Sequence, residues 1–288
     1  MPSTIVFNQS SIVGTGNNTF EYKFPSSVNF NNHEIAVESI SINYSWVNIS
    51  SALNNNKFEY VFYGTSGAVT YQVTIDDGLY ELSQINSKLQ YEMIKNGTFL
   101  INASGQNVYY AEFIVNNTAF AYQLNTFPVP ISLPAGWSVP VANPIAGTAG
   151  WVGFYTQNTN PQINLLANNF YKILGFPDLF SSSANIGVNT NLSYLSTTAP
   201  AIQPNTNVYV SMSNIQNPYA NPSSIIHNLV VQGGFGQQIV DKPNEYAFNK
   251  LLEGQYNQLR LQFLGSDNQP LKILDPDTVI VCLIREKP

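Results

Sequence analysis

The side chains able to do chemistry are few and scattered: His33, His227, Cys282 and the acidic pairs Asp76-Asp77 and Asp275/Asp277. Nucleophilic catalysis needs a nucleophile beside a base. His33 begins a strand in a polar stretch and His227 sits among Ile225, Ile226 and Leu229, so both histidines read as structural. No Gly-x-Ser-x-Gly elbow occurs. Cys282 falls in the most apolar strand, the setting of an inert buried thiol rather than a reactive one. Two histidines and one cysteine, far apart, cannot make a zinc set by local spacing. The two acidic pairs lack the spacing of a calcium loop and suit turns instead. No Gly-Lys dipeptide is present, which excludes a phosphate-cradling P-loop. With 17 acidic residues some carboxylate pair is inevitable, so a glycosidase-like pair carries no signal. The expectation is therefore no enzyme, no catalytic, cofactor-binding or metal site, and no cofactor.

Two features bear on binding. Trp137 and Trp151, with tyrosines in Asn-rich loops, could form a sugar-binding platform. They serve equally to pack those loops onto a β core, the favoured reading. Val231-Gln232-Gly233-Gly234 is similar to the hydrophobic-x-Gly-Gly sequence cut by adenovirus-type maturation proteases, although those prefer Met, Leu or Ile first. A Gly-rich turn explains it as well.

The elements that would position these residues are mostly strands. Phe20, Tyr22 and Phe24 share one face of a period-two segment. Ile40, Ile42, Tyr44 and Trp46 repeat the pattern, as do Phe58, Tyr60 and Phe62, and Val69, Tyr71, Val73 and Ile75. Such alternation is expected where one sheet face meets a core. The period then changes. Leu79, Leu82, Ile85, Leu89 and Met93 predict a helix over about 79–95, with Asp77 as N-cap and Gly97 as the left-handed stop. Strands are expected near 108–115 and 118–124. A Pro/Gly-rich passage follows from Pro128 to Gly150. A short helix is expected at 163–174, stopped by Gly175 and Pro177, then a loop from Ser181 to Thr198. Regular strands return at Val208–Met212, Tyr256–Leu264 and Thr278–Arg285. The last is apolar throughout and so is expected to be covered on both faces.

Many short strands, a helix in a long crossover and Gly/Pro turns predict a mainly all-β chain, a single jelly-roll β-sandwich with an inserted β-rich and loop region. The expected divisions are 1–95 for the first part of the jelly roll with its helix, and 96–199 for the insertion, as an upper domain. Residues 200–288 form the second part, with a terminal hairpin.

At 288 residues the chain can bury about 75% of its unfolded surface. Only 10% of its residues are charged, against roughly 25% in an ordinary soluble domain. Monomers use charge to stay apart, so a β protein that omits it is expected to cover much of its outside with other protein. The net charge of −6 and the thin spread of basic residues exclude a phosphate-binding stripe, hence no direct nucleic-acid partner. No apolar run approaches the roughly 18 residues of a membrane span, and the first residues lack the charged-then-apolar pattern of a secretory signal. One cysteine allows no internal disulfide, consistent with folding in a reducing compartment. The Asn-x-Ser/Thr triplets at Asn43, Asn48 and Asn191 read as chance in an Asn-rich chain.

Several segments, in order, resemble capsid proteins of virophages and polinton-like viruses. Ile75-Asp76-Asp77-Gly78-Leu79-Tyr80 is similar to their strand-to-helix junction, and Tyr171-Lys172-Ile173-Leu174-Gly175-Phe176-Pro177 to their "LLGF" segment. Asn207-Val208-Tyr209-Val210-Ser211, followed by Asn217-Pro218, resembles the next strand. Leu259–Phe263, a turn, Ile273–Thr278 and the strand ending in Arg285-Glu286-Lys287 resemble the end. Together they cover about half the chain. One copy of each mark points to the penton, or minor capsid, protein with its single jelly roll, rather than to the double jelly-roll major capsid protein. The resemblance implies homopentamers at fivefold vertices of an icosahedral virion, contacts with major-capsid trimers and other minor capsid proteins, and synthesis in the host cytoplasm or a viral factory. It implies no membrane partner. No Arg-Gly-Asp occurs, so integrin-type receptor binding is not supported. The alternative is a carbohydrate-binding or fibre-like β-sandwich module using Trp137, Trp151 and loop tyrosines.

Overall fold

The period-two segments fold as strands because alternate side chains are aliphatic or aromatic and the residues between them are Ser, Thr, Asn or Gln. The computed structural model describes residues 2–145, 147–202 and 205–288. Its early strands are β1 (Ser3–Phe7), β2 (Thr19–Asn29), β3 (His33–Asn43), β4 (Lys57–Gly64) and β5 (Gly67–Thr74), followed by helix α1 (Leu82–Lys95). Next come β6 (Leu100–Ile101), β7 (Asn107–Val108), β8 (Ala111–Asn116), β9 (Ala121–Thr126), β10 (Gln162–Asn164), α2 (Phe170–Leu174) and β11 (Leu192–Leu195). The chain closes with β12 (Asn207–Met212), β13 (Ile225–Val230), β14 (Gln238–Asp241), β15 (Asn249–Lys250), β16 (Gln255–Leu264) and β17 (Thr278–Glu286).

Two compact units result: Met1–Val47 with Gln203–Pro288, and Asn48–Ile202. In the first unit one antiparallel sheet has the order β1-β17-β3-β14, with β15 also on β3, and the other has the order β13-β12-β16-β2. If the eight principal strands of this unit are counted in chain order, the sheets read 1-8-3-6 and 5-4-7-2. That order is the jelly roll. Its interior is aliphatic and aromatic. Phe7, Ile35, Ile40, Ile42, Ile280 and Cys282 from one sheet, and Phe20, Val210, Leu259, Leu261 and Phe263 from the other, are all fully buried. Phe20 meets Phe263 edge-on at 5.8 Å, and Phe7 meets Tyr22 of the opposite sheet at 6.2 Å.

The second unit has sheets β10-β4-β5 and β11-β9-β8 and the small pair β6-β7. Helix α1 buries Leu82, Ile85, Leu89 and Met93 in a core with Phe58, Tyr60, Phe62, Phe113 and Phe170. Phe58 and Phe170 stack at 5.1 Å. Asn86 of α1 accepts the Phe113 N–H at 3.0 Å, which fixes the helix to β8.

Several expectations need correction. The division does not fall at 96 and 199. Strands β4 and β5 and helix α1 belong with the second unit, so the barrel is interrupted after β3 and the helix is not part of it. The cause is Asn48, a polar residue only 2% exposed. Its amide donates to the carbonyls of Tyr80 at 2.8 Å and Ile202 at 2.6 Å, and its oxygen accepts the Tyr80 N–H at 2.9 Å. The first and last residues of the second unit are thereby joined. Helix α1 starts at Leu82 with Glu81 at its N-cap, not at 79 with Asp77. The Asp77 carboxylate instead accepts the Ser51 N–H at 2.7 Å, and Gly78 bridges Ile49, which keeps this stretch extended. Of the helix expected at 163–174 only Phe170–Leu174 forms, because Ile163 enters the ladder opposite Tyr60. The stop at Gly175 is as expected, at φ 77°, where an added Cβ would lie 2.3 Å from the Thr198 carbonyl oxygen. The strand expected from 118 starts at Ala121, and the loop expected over 181–198 contains β11, paired to β9. Strand β17 is buried on its inner face only, with Val279 38% exposed on the other.

Removing the Asn48 amide takes the partner from two part-buried carbonyls and a part-buried N–H, each bond contributing roughly 0.5–1.5 kcal/mol. Asn48→Ala is expected to destabilise the second unit by about 3 kcal/mol. Urea unfolding, with limited proteolysis around residues 200–206 as a local readout, checks this. Unchanged stability and cleavage would show that the Asn48 bonds do not hold the unit's ends.

Candidate functional site

Each chemically capable residue is already engaged in holding the fold. His33 opens β3, with Nδ1 2.8 Å from the Asn31 carbonyl oxygen and its ring edge-on to Phe30. His227 on β13 contacts the Asp241 carboxylate on β14 through Nε2. The two strands belong to opposite sheets of the jelly roll and are joined by the exposed loop 231–237. The pair therefore clasps one open edge of the sandwich. Two ionisable groups turned inward at sheet edges also discourage strand addition from outside. Cys282 is fully buried on the inner face of β17, and burial pushes its thiol from the ordinary 9.0 up to about 12. A thiol so placed is neither a nucleophile nor a metal ligand at neutral pH.

Of the acidic pairs, Asp76-Asp77 lies in the extended stretch before α1, and Asp275/Asp277 forms a turn. Asp275 accepts the Asn43 amide at 2.8 Å and the Asp277 N–H at 2.9 Å, pinning the approach to β17. Among the described residues no group of three or more His, Cys, Asp or Glu side chains gathers as a metal site would require. Among the described residues no helix is long and apolar enough to cross a membrane.

Both tryptophans are partly buried. Trp151 packs edge-on to Phe62 at 5.8 Å and lies 5.1 Å from Phe154, with its indole N–H buried. Trp137 packs against the same second-unit core. Tyr60 is fully buried in that core, where its hydroxyl accepts from Asn96 at 3.0 Å and lies 3.2 Å from the Thr98 hydroxyl. Burial raises its pKa despite those hydrogen bonds. Val231-Gln232-Gly233-Gly234 lies in the exposed loop between the clasped strands, where the Gln237 side chain accepts the Gly234 N–H at 2.8 Å. Only its last residue, Gly234, enters the tight turn Gly234–Gln237, which the Gln237 N–H closes on the Gly234 carbonyl at 3.1 Å.

What remains is surface, and it is sparse in ions. Residues 113–171 contain no Asp, Glu, Lys, Arg or His. Hydrogen bonding there runs through neutral side chains. Asn160, for example, donates to the Thr126 carbonyl at 2.9 Å and the Thr190 carbonyl at 3.2 Å. A jelly roll whose exterior is largely neutral is the class of protein that the fold and surface define.

No family model matches the chain, and no curated protein matches it in sequence. Among solved structures, the chain is similar to the crystal structure of the mavirus penton protein, with a TM-score of 0.43 and 13% identity over 99% of this chain and 97% of that one. It is also similar to a chain in the cryo-EM structure of the Sputnik virophage, with a TM-score of 0.36 and 9% identity over 100% of this chain and 99% of that one. At these values the jelly-roll assignment rests on the strand order of the chain itself.

The Cys282 environment sets a pH response. A thiol whose folded pKa lies above its unfolded one keeps its proton longer in the folded state. Its contribution is intact below about 9 and is lost as pH rises toward about 12, by up to about 1.4 kcal/mol per pH unit. Buried Tyr60 and Tyr110 act in the same direction. Cys282→Ala is expected to flatten part of the alkaline fall in urea-unfolding stability, and native protein at pH 8 is expected to resist iodoacetamide until unfolded. Rapid native alkylation would contradict the buried placement.

Proposed function

We propose that the chain is a structural capsid subunit of the penton type. It forms homopentamers at the fivefold vertices of an icosahedral virion and contacts trimers of a double jelly-roll major capsid protein. The observation that carries this reading is one complete jelly roll, in the order 1-8-3-6 and 5-4-7-2, on a chain with only 10% charged residues. A sandwich with few ions loses little on desolvation and suffers little like-charge repulsion when it meets a neutral face. Head-to-tail association of identical wedges closes into a ring when the rotation per copy matches. The ordered segments that resemble virophage and polinton-like capsid proteins support the same role, as does the name of the mavirus penton protein to which the chain is similar. In this reading the protein resides in the virion, has no cofactor and makes no direct contact with nucleic acid or membrane. The carbohydrate-binding alternative draws less support, since Trp137 and Trp151 are partly buried against the second-unit core.

Purified full-length chain is expected to form particles of five copies by mass photometry, alone or with major capsid protein, and labelled antibody is expected to decorate virion vertices. A chain that stays monomeric under both conditions and is absent from vertices would overturn the assignment.

A further inference from the structure

Strands β1 and β2 each end a sheet, and the two sheets are the opposite layers of the jelly roll. Between them the surface is hollowed into a cavity of about 470 Å³, with Val6, Asn8, Ser11, Glu21, Tyr22 and Lys23 in its lining. Local sequence makes the hollow. Ile12 bridges Phe20, and the Val13 N–H donates to the Thr19 carbonyl at 2.9 Å. Continued upstream, that ladder would put Ser11 opposite Glu21 and Gln9 opposite Lys23. Gln9–Ser11 instead turns away as a single 3-10 turn, which Asn8 sets. The Asn8 Oδ1 accepts the Ser10 N–H at 3.0 Å and the Ser10 hydroxyl at 2.7 Å, and the Asn8 N–H donates to the Ser11 hydroxyl at 3.3 Å. The amide is thus held by its oxygen, while its Nδ2 group has no acceptor among the described residues. Tyr22 is half-buried and meets Phe7 edge-on at 6.2 Å and Phe24 at 5.2 Å. Glu21 and Lys23 are of opposite sign, and neither is ion-paired among the described residues. Arg260 stands opposite Glu21 on β16 and is outside the lining.

We propose that this cavity binds a neutral sugar. The inference stands apart from the assembly reading and makes no use of the tryptophans. The volume falls in the range of roughly 300–1,000 Å³ that small-ligand sites occupy. The lining combines an aromatic ring and a valine with a fixed amide donor, a hydroxyl and a carboxylate acceptor. A sugar matches both halves. Its C–H face packs on Tyr22 and Val6, and each of its hydroxyls both donates and accepts. Being neutral, it leaves Glu21 and Lys23 balanced against each other. Other ligand classes fit less well. A phosphate would meet one ammonium beside one carboxylate, and a calcium ion, which takes about six to eight oxygens, would find a single carboxylate. A purely apolar ligand would cover the Asn8 donors without satisfying them. An added strand would find only a short edge of β2, bounded by the Ile12 bridge to Phe20 and by Pro25, which has no N–H.

The test is saturation-transfer NMR on the full chain with glucose, galactose, mannose and N-acetylglucosamine, set against glycerol as a small polyol and inorganic phosphate as an anion. At least one sugar is expected to receive transfer that saturates with concentration, while glycerol does not, and phosphate is expected not to compete with it. Asn8→Ser keeps an oxygen at the cap of the turn but removes the amide donors. Glu21→Ala removes the carboxylate from an outward position and spares the core. Each variant, with its melting transition unchanged, is expected to weaken sugar binding by about tenfold, the worth of one hydrogen bond. Lys250→Ala, on β15, is expected to bind as the parent does. Absence of transfer to all four sugars overturns the site, as does equal transfer to glycerol or displacement by phosphate. Parental affinity in either site variant overturns it too. None of these results touches the assembly reading, which mass photometry tests separately.

Discussion

The antiparallel ladder between β3 and β17 holds the jelly roll together, because the chain leaves the barrel straight after β3 and returns only at β12. Residues 33–43 pair with residues 278–286 along nearly their full length, through one bulge between Val281 and Cys282. β17 also takes β1 on its other side, and β3 takes β14 and β15. Every strand of this sheet therefore depends on a contact made across most of the sequence. Loop-closure entropy grows only slowly with length, so the inserted segment adds little to that cost once it folds by itself. The second unit has its own aromatic core and a buried Asn48 that binds its last carbonyl back to its first residues. The insertion is tolerated because its ends are tied together, and the barrel ladder need not do that work.

Much of the barrel was legible because its strands alternate cleanly. The inner rows through Phe20, Ile40, Ile42, Leu259, Leu261 and Phe263 are the apolar positions of the period-two pattern, and all are buried. The division between units was not legible, for a physical reason. Phe58, Tyr60 and Phe62 alternate just as Ile40 and Ile42 do, and period two reports which face a side chain takes, not which sheet receives it. The residue that marks the boundary, Asn48, looks like one more polar loop residue until its carbonyl partners are known. The second helix failed similarly: apolar residues at its expected start fit either period, the ladder opposite Tyr60 took Ile163, and the Leu165 N–H went to the Phe180 carbonyl at 2.8 Å.

The candidate chemistry was legible mainly as scarcity, and the structure adds why each residue is engaged. Nothing in local spacing links His227 to Asp241, which sit on different sheets; only the jelly-roll crossover brings them together. Trp137 and Trp151 lie in a Pro/Gly-rich passage whose sequence favours packing over a sugar platform, and both pack, partly buried, on the second-unit core. Composition could not distinguish an aromatic that anchors a loop from one that waits for a ligand. Burial makes that distinction, and it favours the anchor.

The neutral exterior and the unequal sheet faces have one physical origin. A side chain on a two-layer sandwich faces either the interior or whatever lies beyond the sheet, so the outer residues record the surroundings for which each sheet is built. Lys23 and Arg260 are built for water. The valines of β1, β14 and β17 face outward beside the neutral Ser39 and Ser41 of β3, on a sheet whose inner face is filled by its own core. β17 is apolar along most of its length because its inward residues close the jelly roll and its outward Val279 and Val281 join that neutral face.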